Sequence, residues 1–308
     1  MKKHTTNAER SRLEIIEHKV NPLENWGSYL SARQWGTVRE DYSEHGDAWN
    51  YFPHDHARSR VYKWGEDGLG GISDLQQNLC FSFSFWNGKD HILKERLFGL
   101  GNNEGNHGED VKELYYHLDN LPTHYYMKFL YKYPQAKFPY DDLLEVNAAR
   151  SKDEPEYELL DTGVFDEDKY FDILIEYAKN NSNDIFIKLS AINRGKEKSV
   201  LHVLPILWFR NKWHYVEGDL KKPSISYLDQ QSVIAKHPRA GNYMLYFSPT
   251  EEVLFTENET NFEKLFDRPN ESEFVKMHFM MQLSTDRIER PCRIKRVEQN
   301  VPRYISWR

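Results

Sequence analysis

The stretch NLCFSFSFWNGKD, residues 78–90, decides the fold class. Apolar side chains stand at every second position from Leu79 to Phe85, and serine or cysteine stands between them. This alternation is typical of a β-strand that buries one of its two faces. The Asn87-Gly88 pair that follows is a strong signal for a tight turn between antiparallel strands. We therefore predict a half-buried antiparallel strand here.

Similar patterns recur along the rest of the chain. They occur in YFDILIEYA (170–178), in the long stretch 184–218, in YMLYFSP (243–249) and in EVLFTE (252–257). The long stretch predicts two strands that are joined by a hairpin near Asn193-Arg194-Gly195. Strands at this spacing, separated by Gly, Pro, Asn and Asp, predict a mainly β protein with a large antiparallel β-sandwich, long ordered loops and a few short helices.

Helical patterns are local. We predict short helices over Asn7 to Glu17, Asp141 to Ala149 and Asn261 to Phe266, whereas EDVKELYYHLDN (109–120) fits a helix or a strand. The last segment, 284–308, is rich in Lys and Arg and lacks the alternation of a sheet, so it is predicted to lie outside the sandwich.

Composition excludes several classes of protein. A formal net charge of -7 argues against a nucleic-acid partner, because phosphate binding needs a basic face. No apolar run is long enough for a membrane helix, and the N-terminus has no signal-peptide core, so we expect no membrane partner. Two distant cysteines, Cys80 and Cys292, predict a reduced, cytoplasmic protein.

The stretch YFPHDHARSR (51–60) raises the question of a metal or catalytic site. A His-x-His pair can supply two ligands to zinc, but zinc takes three or four, and the arginine at position 58 would oppose a cation. The chain also lacks a nucleophile elbow and a phosphate-binding P-loop. We therefore expect no metal and no cofactor, and we assign no catalytic residue.

Aromatic and planar polar side chains are concentrated in 26–71, a segment without sustained apolar periodicity. Aromatic rings pack against the C–H faces of sugars, and planar polar groups bind their hydroxyls, so this mixture fits a carbohydrate pocket. Arginine–carboxylate networks and buried tryptophans can equally brace long loops. From the residues alone, both interpretations stay open.

Four stretches resemble a known family: 25–74 (beginning NWGSYLSARQWG), 86–113 (WNGKDHILKERLFGLGNNEGNHGEDVKE), 132–143 (KYPQAKFPYDDL) and 156–171 (EYELLDTGVFDEDKYF). They are similar to the N-terminal region of bacterial glucosidase-like proteins related to glycoside hydrolase family 63. That group includes processing α-glucosidase and enzymes similar to mannosylglycerate hydrolase. The resemblance extends from about Trp26 to Phe274.

The resemblance implies a supersandwich-type N-terminal domain that is followed by an (α/α)6 barrel, and an inverting hydrolase of small α-linked glycosides. It places both catalytic carboxylates on the barrel, which we expect to lie outside this chain, so the chain alone is expected to be inactive. It also implies that loops of the sandwich line or brace the sugar cleft. The expected substrate-binding residues are Trp35, Arg39, Asp41, His54, Arg58, Trp64, Glu66 and Asp67.

The predicted organisation has three parts. Residues 1–25 form an N-terminal extension, and 26–283 form the sandwich, with the sugar-cleft loops in 26–71. Residues 284–308 form an atypical basic tail, for which a frameshift and the start of a linker to the barrel are two hypotheses. The expected partners are an oligosaccharide or small glycoside and the (α/α)6 barrel. A noncatalytic carbohydrate-binding or interaction module is the alternative function.

Overall fold

A computed structural model describes most of the 308 residues. The described residues are 7–16, 26–30, 56, 59–60, 68–91, 93–95, 113–213, 221–249 and 253–276, together with the backbone of 292–297. Within them the chain is mainly β, and its strands form two antiparallel sheets. No helix among these residues is both long and apolar enough to cross a membrane.

The smaller sheet has four strands in the order β1-β2-β3-β8. Its strands are β1 (Trp26–Gly27), β2 (Leu69–Asp74), β3 (Leu79–Trp86) and β8 (His202–Phe209). The larger sheet has eight strands in the order β4-β5-β6-β7-β12-β11-β10-β9. Its strands are β4 (Tyr115–Asn120), β5 (Tyr126–Pro134), β6 (Tyr170–Asn181), β7 (Asp184–Asn193), β9 (Ser224–Asp229), β10 (Ser232–His237), β11 (Gly241–Tyr246) and β12 (Cys292–Val297).

The two sheets pack face to face as a β-sandwich. Alternate side chains of β3 and β6 enter one shared core, in which the rings of Phe81 and Tyr177 lie 6.3 Å apart, centroid to centroid. The Tyr177 hydroxyl also donates a 2.5 Å hydrogen bond to the carbonyl oxygen of Gly70 in the opposite sheet. The mainly β sandwich that the sequence predicts is confirmed.

Strand β3 differs from its prediction in one respect. Its serine face is buried as well as its phenylalanine face, and Ser82 and Ser84 are almost fully enclosed. On that face, Leu30 and Trp208 pack with Cys80 in a second apolar cluster. The alternation within β3 does not reveal this cluster. The prediction of a half-buried strand was therefore wrong, although the strand and the turn at Gly88 were correct.

The predicted hairpin between β7 and β8 is also wrong. Strand β7 pairs with β6 and β12 in the larger sheet, whereas β8 pairs along its whole length with β3 in the smaller sheet. The turn after β7 is tied to the larger sheet, because the Arg194 guanidinium donates to the Asp172 carboxylate at 2.6 Å. The chain then crosses to the other sheet. Alternation marks a strand but does not identify its partner.

Two segments near the end of the chain differ from their predictions. Described residues 253–257 of EVLFTE form no strand, and the Glu257 amide makes a single 2.8 Å bond to the Phe274 carbonyl. Within the segment predicted to lie outside the sandwich, Cys292–Val297 form β12 between β7 and β11. The ambiguous stretch 109–120 contains strand β4.

The three predicted helices are confirmed. They are α1 (Ala8–Ile16), α2 (Tyr140–Ala149) and α3 (Phe262–Phe266). Helix α3 begins after Asn261, whose side chain accepts a 3.0 Å hydrogen bond from the Lys264 amide, as expected of an N-cap residue. Two 3-10 turns, Leu159–Thr162 and Asp166–Asp168, connect α2 to β6.

Candidate functional site

The eight predicted substrate-binding residues lie outside the described residues. They are Trp35, Arg39, Asp41, His54, Arg58, Trp64, Glu66 and Asp67. The structure therefore leaves their assignment to the sugar cleft as a prediction. It does describe the residues on either side of 61–67, namely 59–60 and 68, and it shows which parts of the sandwich these residues contact.

Both flanks of 61–67 are held by hydrogen bonds to distant parts of the sandwich. The Ser59 carbonyl accepts a 2.8 Å bond from the Asn261 amide, and the Gly68 amide donates a 2.5 Å bond to the Glu95 carbonyl. Gly68 has a φ of 84°, and a Cβ atom there would lie 1.9 Å from the hydroxyl oxygen of Ser82. Glycine is therefore required at this flank.

A group of polar side chains near these flanks surrounds one carboxylate. We call it the Glu259 cluster, and it consists of Asn211, Trp213, Lys222, Glu257 and Glu259. Oε1 of Glu259 accepts bonds from the Trp213 indole at 3.1 Å and from the Lys222 ammonium at 3.2 Å. Oε2 accepts a 3.3 Å bond from the Asn211 amide group. The Lys222 ammonium also lies 2.7 Å from the Glu257 carboxylate.

Charge in the Glu259 cluster is partly balanced, with one ammonium facing two carboxylates. Partial burial opposes the charge of Lys222, but hydrogen bonds and attraction from Glu257 and Glu259 outweigh it and raise the pKa of this lysine. The ammonium therefore stays protonated at neutral pH and offsets one of the two carboxylates. It also lies 5.4 Å from the centroid of the Trp213 ring, within the range of a cation–π contact.

The Glu259 cluster is connected to the Gly68 flank through Lys276. The Lys276 amide donates a 3.2 Å bond to the Glu259 carbonyl, and its ammonium lies 3.7 Å from the Glu95 carboxylate. Both side chains of this second pair are at most one-tenth exposed. Three buried charged residues, Glu95, Glu259 and Lys276, therefore lie close to the Gly68 flank of 61–67.

A second buried network of charged and hydroxyl groups is built around Lys94, the neighbour of Glu95 in the chain. We call it the Lys94 network, and it contains Asp90, Lys94, Glu113, Tyr131, Tyr133 and Tyr140. The Lys94 ammonium bonds to the Glu113 carboxylate and to the Tyr140 hydroxyl, and the Tyr131 hydroxyl donates to Glu113 at 2.6 Å. Asp90 accepts from the Tyr133 hydroxyl and from the Phe138 amide.

The Lys94 network is closed to solvent, since the side chains of Lys94 and Glu113 are each 2% exposed. Burial raises the pKa of Glu113, although the charge of Lys94 and the Tyr131 hydroxyl work in the opposite direction. The ammonium also lies 3.8 Å from the centroid of the Phe138 ring. Because the charged groups are paired and enclosed, this network acts as an anchor for the residues that flank 96–112.

Sequence analysis did not identify the Glu259 cluster. Asn211 and Trp213 directly follow strand β8, in a stretch that the alternation assigned entirely to a strand, and Glu259 stands in a segment without a recognisable motif. The one signal in the sequence that could have indicated this cluster was a tryptophan between polar residues just after a strand. The pairing of these residues depends on contacts more than 30 positions apart in the chain.

Comparison with known proteins shows that the chain is similar to a yeast protein. A protein of Saccharomyces cerevisiae described as "Uncharacterized protein YMR196W" is 42% identical over 301 residues, which cover 85% of this chain and 28% of the yeast protein. The chain thus spans less than a third of that relative. No model of a protein family matches the sequence, and no solved structure matches it.

Proposed function

We propose that this chain is the sandwich module of a glycoside hydrolase related to family 63. In this proposal an (α/α)6 barrel outside the chain carries the two catalytic carboxylates, and the enzyme inverts the anomeric centre of a small α-linked glycoside. The β-sandwich fits the domain that the resemblance implies. The length of the yeast relative is compatible with a further large domain.

The observation that carries the proposal is the meeting of charged and aromatic side chains at the flanks of 61–67. In the Glu259 cluster an indole N–H, an amide group and an ammonium each lie within hydrogen-bonding distance of one carboxylate. Concave sugar sites combine an apolar wall with a few convergent polar groups of this kind. The predicted residues Trp64, Glu66 and Asp67 belong to the segment whose two flanks are held there.

The test of the enzyme has two parts. Calorimetry with glucose, maltose and glucosylglycerate measures binding by the chain as it is. Turnover of aryl α-glucosides is then measured after the chain is joined to the downstream barrel-coding sequence, with and without the Glu66→Gln and Asp67→Asn changes. We expect turnover in the longer protein and not in the chain alone. Circular dichroism of the longer protein checks that it is folded. A folded longer protein without turnover of any glycoside would overturn the proposal.

We also propose a cytoplasmic location. Cys80 carries a reduced thiol that is buried in the smaller sheet. A reducing compartment keeps such a thiol unmodified. Fractionation of cells that express the full gene tests this location, and recovery in a secreted fraction would contradict it.

The alternative is a noncatalytic carbohydrate-binding or interaction module, and exposed aromatic side chains favour it. Four phenylalanines between 253 and 276 are 39% to 49% exposed: Phe255, Phe262, Phe266 and Phe274. Exposed apolar patches on soluble proteins often mark contact surfaces. Sedimentation of the chain alone, at several concentrations, separates a self-associating module from a monomer. Sugar binding without turnover in the longer protein would favour this alternative.

A further inference from the structure

Basic side chains from two separate segments meet beside the turn 75–78, which joins β2 to β3. Arg210 and Lys212 follow β8, and Arg239 lies in the turn between β10 and β11. The Arg210 guanidinium donates to the Gln77 side chain at 2.7 Å, and its backbone amide donates to the Asn78 carbonyl at 3.1 Å. These bonds tie the residues after β8 to the turn between β2 and β3.

Within the part of the chain that the structure describes, the Lys212 ammonium bonds to neutral groups alone. It donates to the Gln76 carbonyl and to the Asn78 side chain, each at 3.1 Å. Lys132 and Lys222, in contrast, each pair with a carboxylate. An ammonium has three donors, so one donor of Lys212 remains for a further acceptor.

Positive charges act on Lys212 from both sides. Burial lowers the pKa of Lys212, and the charges of Arg210 and Arg239 lower it further. Asp74 and the Cys80 thiol act in the opposite direction. The Asp74 carboxylate is 5% exposed, however, and already accepts four hydrogen bonds from amide groups of residues 76–79. An anion would therefore stabilise this group of cations.

His237 adds a neutral hydrogen-bond donor. Its Nδ1 accepts from the backbone amides of Arg239 and Ala240, at 3.1 and 2.9 Å. Because a backbone amide can only donate, Nδ1 carries no proton and Nε2 carries it. The imidazole ring lies 5.4 Å from the ring of Phe209, centroid to centroid, and Phe209 directly precedes Arg210. The turn between β10 and β11 therefore lies against the end of β8.

Charge and donor type select the class of ligand. The oxygens of a phosphate group can accept from an ammonium, a guanidinium and an imidazole N–H at the same time. A metal cation would be repelled by the same side chains, and a neutral sugar would leave their charge uncompensated. The group is accessible, because Arg239 is exposed and both Lys212 and His237 are partly exposed.

We propose that Lys212, His237 and Arg239 form a surface site for a phosphate group. The ammonium, the Nε2–H group and the guanidinium donate to phosphate oxygens, and Arg210 adds its charge from beside the turn 75–78. None of these residues belongs to the set that the sequence predicted. The inference goes beyond the proposed glycosidase and does not depend on it.

The test follows the ring signals of His237 by NMR in the full chain, and the His237→Gln variant assigns them. Inorganic phosphate, glucose 6-phosphate and glucose are titrated separately at constant ionic strength. We expect a saturable shift with inorganic phosphate that is half complete at about 1 mM or below, and no shift with glucose. A phosphate shift that does not saturate, or an equal shift with glucose, would overturn the site.

The two phosphate compounds distinguish the source of the ligand. Tighter binding of glucose 6-phosphate than of inorganic phosphate would support the site and assign it to a phosphorylated metabolite. The reverse order would support a site for the free anion.

Bound phosphate should also raise the pKa of His237. Burial lowers the pKa of this imidazole, and the charges of Lys212 and Arg239 lower it further, whereas Asp74 opposes them. A bound anion favours the imidazolium, so the titration of His237 should move to higher pH in saturating phosphate. An unchanged titration would place any bound phosphate elsewhere and overturn the site.

Arg239→Gln removes one cation with little risk to the fold, because the Arg239 side chain is exposed and makes no contact among the described residues. We expect phosphate binding to weaken about fivefold or more. Arg268→Gln is the matched control, since Arg268 is also exposed and its side chain likewise contacts no described residue. It should leave the affinity within about twofold of the wild type. Equal effects of the two arginine variants would overturn the site.

Lys212→Met should weaken phosphate binding about tenfold or more, as expected when a hydrogen bond from a charged group is lost. This variant also loses two bonds to the turn 75–78, so circular dichroism checks that it is folded. A folded Lys212→Met variant with the affinity of the wild type would overturn the site.

Discussion

Replacing Lys94 by Met should strongly destabilise the protein. The substitution removes the ammonium and leaves the enclosed Glu113 carboxylate with the Tyr131 hydroxyl, at 2.6 Å, as its one bond in the Lys94 network. Breaking a buried pair by removing one partner typically costs about 3–5 kcal/mol. Methionine fills most of the volume of the lysine stem, so the loss should come from the uncompensated charge and not from a cavity.

The double variant Lys94→Met/Glu113→Gln isolates that charge. A neutral glutamine can still accept from the Tyr131 hydroxyl and no longer needs a cation, so we expect at least half of the lost free energy of unfolding to return. Lys137→Met serves as the control, because Lys137 pairs with Asp141 at an exposed site where both side chains are more than 40% exposed. An exposed pair of this kind contributes about 1 kcal/mol or less.

The cost of Lys94→Met should also depend on pH. Burial already raises the pKa of Glu113, and removal of the lysine charge raises it further. A carboxyl group whose pKa is higher in the folded state binds more protons there, so the stability of the variant falls as the pH rises between the unfolded and the folded pKa. We therefore expect a smaller cost at pH 5 than at pH 8.

Guanidinium denaturation at both pH values measures these differences in the free energy of unfolding. The reasoning would be refuted if Lys94→Met cost less than about 1 kcal/mol at pH 8. It would be refuted equally by a double variant no more stable than the single one, or by a cost that is the same at both pH values.

Three other substitutions test separate parts of the sandwich. Gly70→Ala should cost more than about 1 kcal/mol, since φ is 62° and the new Cβ would lie 2.6 Å from Cδ1 of Ile175; an unchanged melting temperature would contradict this. Burial opposes ionisation of Asp172, but its bonded lysine and arginine outweigh this and lower its pKa. The free energy of unfolding lost in Asp172→Asn should therefore shrink as the pH falls below about 4, and a pH-independent loss would exclude this cause. Asn147→Ala removes two bonds to the backbone of Tyr157, at 2.7 and 3.0 Å, and should cost about 2 kcal/mol by guanidinium denaturation; a loss under 0.5 kcal/mol would show that those bonds contribute little.

Local patterns predicted individual elements well. The alternation of β6 is realised in the burial of Phe171, Ile173, Ile175 and Tyr177, and the asparagine before α3 caps that helix. Such features depend on a few neighbouring residues, so the sequence carries them directly. The fold class followed because many elements of one type had to pack into layers.

Pairing between distant strands was not predictable in the same way. Strands β7 and β8 are neighbours in the chain but lie in different sheets, and β12 is inserted between β7 and β11 from far along the sequence. Strands β9 and β10 were missed because Ser224–Asp229 and Ser232–His237 are only six residues long, so their alternation is brief. Strand β10 pairs with β11, and β9 pairs with β10, and a single sequence does not reveal these pairings.

The buried charges were also hidden from sequence analysis, and their arrangement gives them a common role. Lys94 and Glu95 are adjacent in the chain, yet Lys94 pairs with Glu113 while the Glu95 carboxylate faces Lys276. Successive side chains of an extended segment point in opposite directions. The segment 93–95 therefore lies between the Lys94 network on one side and Lys276, which leads to the Glu259 cluster, on the other. Apolar residues could fill such a position at a lower desolvation cost. Paired charges accept only one geometry, and we therefore interpret them as the groups that fix the flanks of 61–67 and 96–112 on the sandwich.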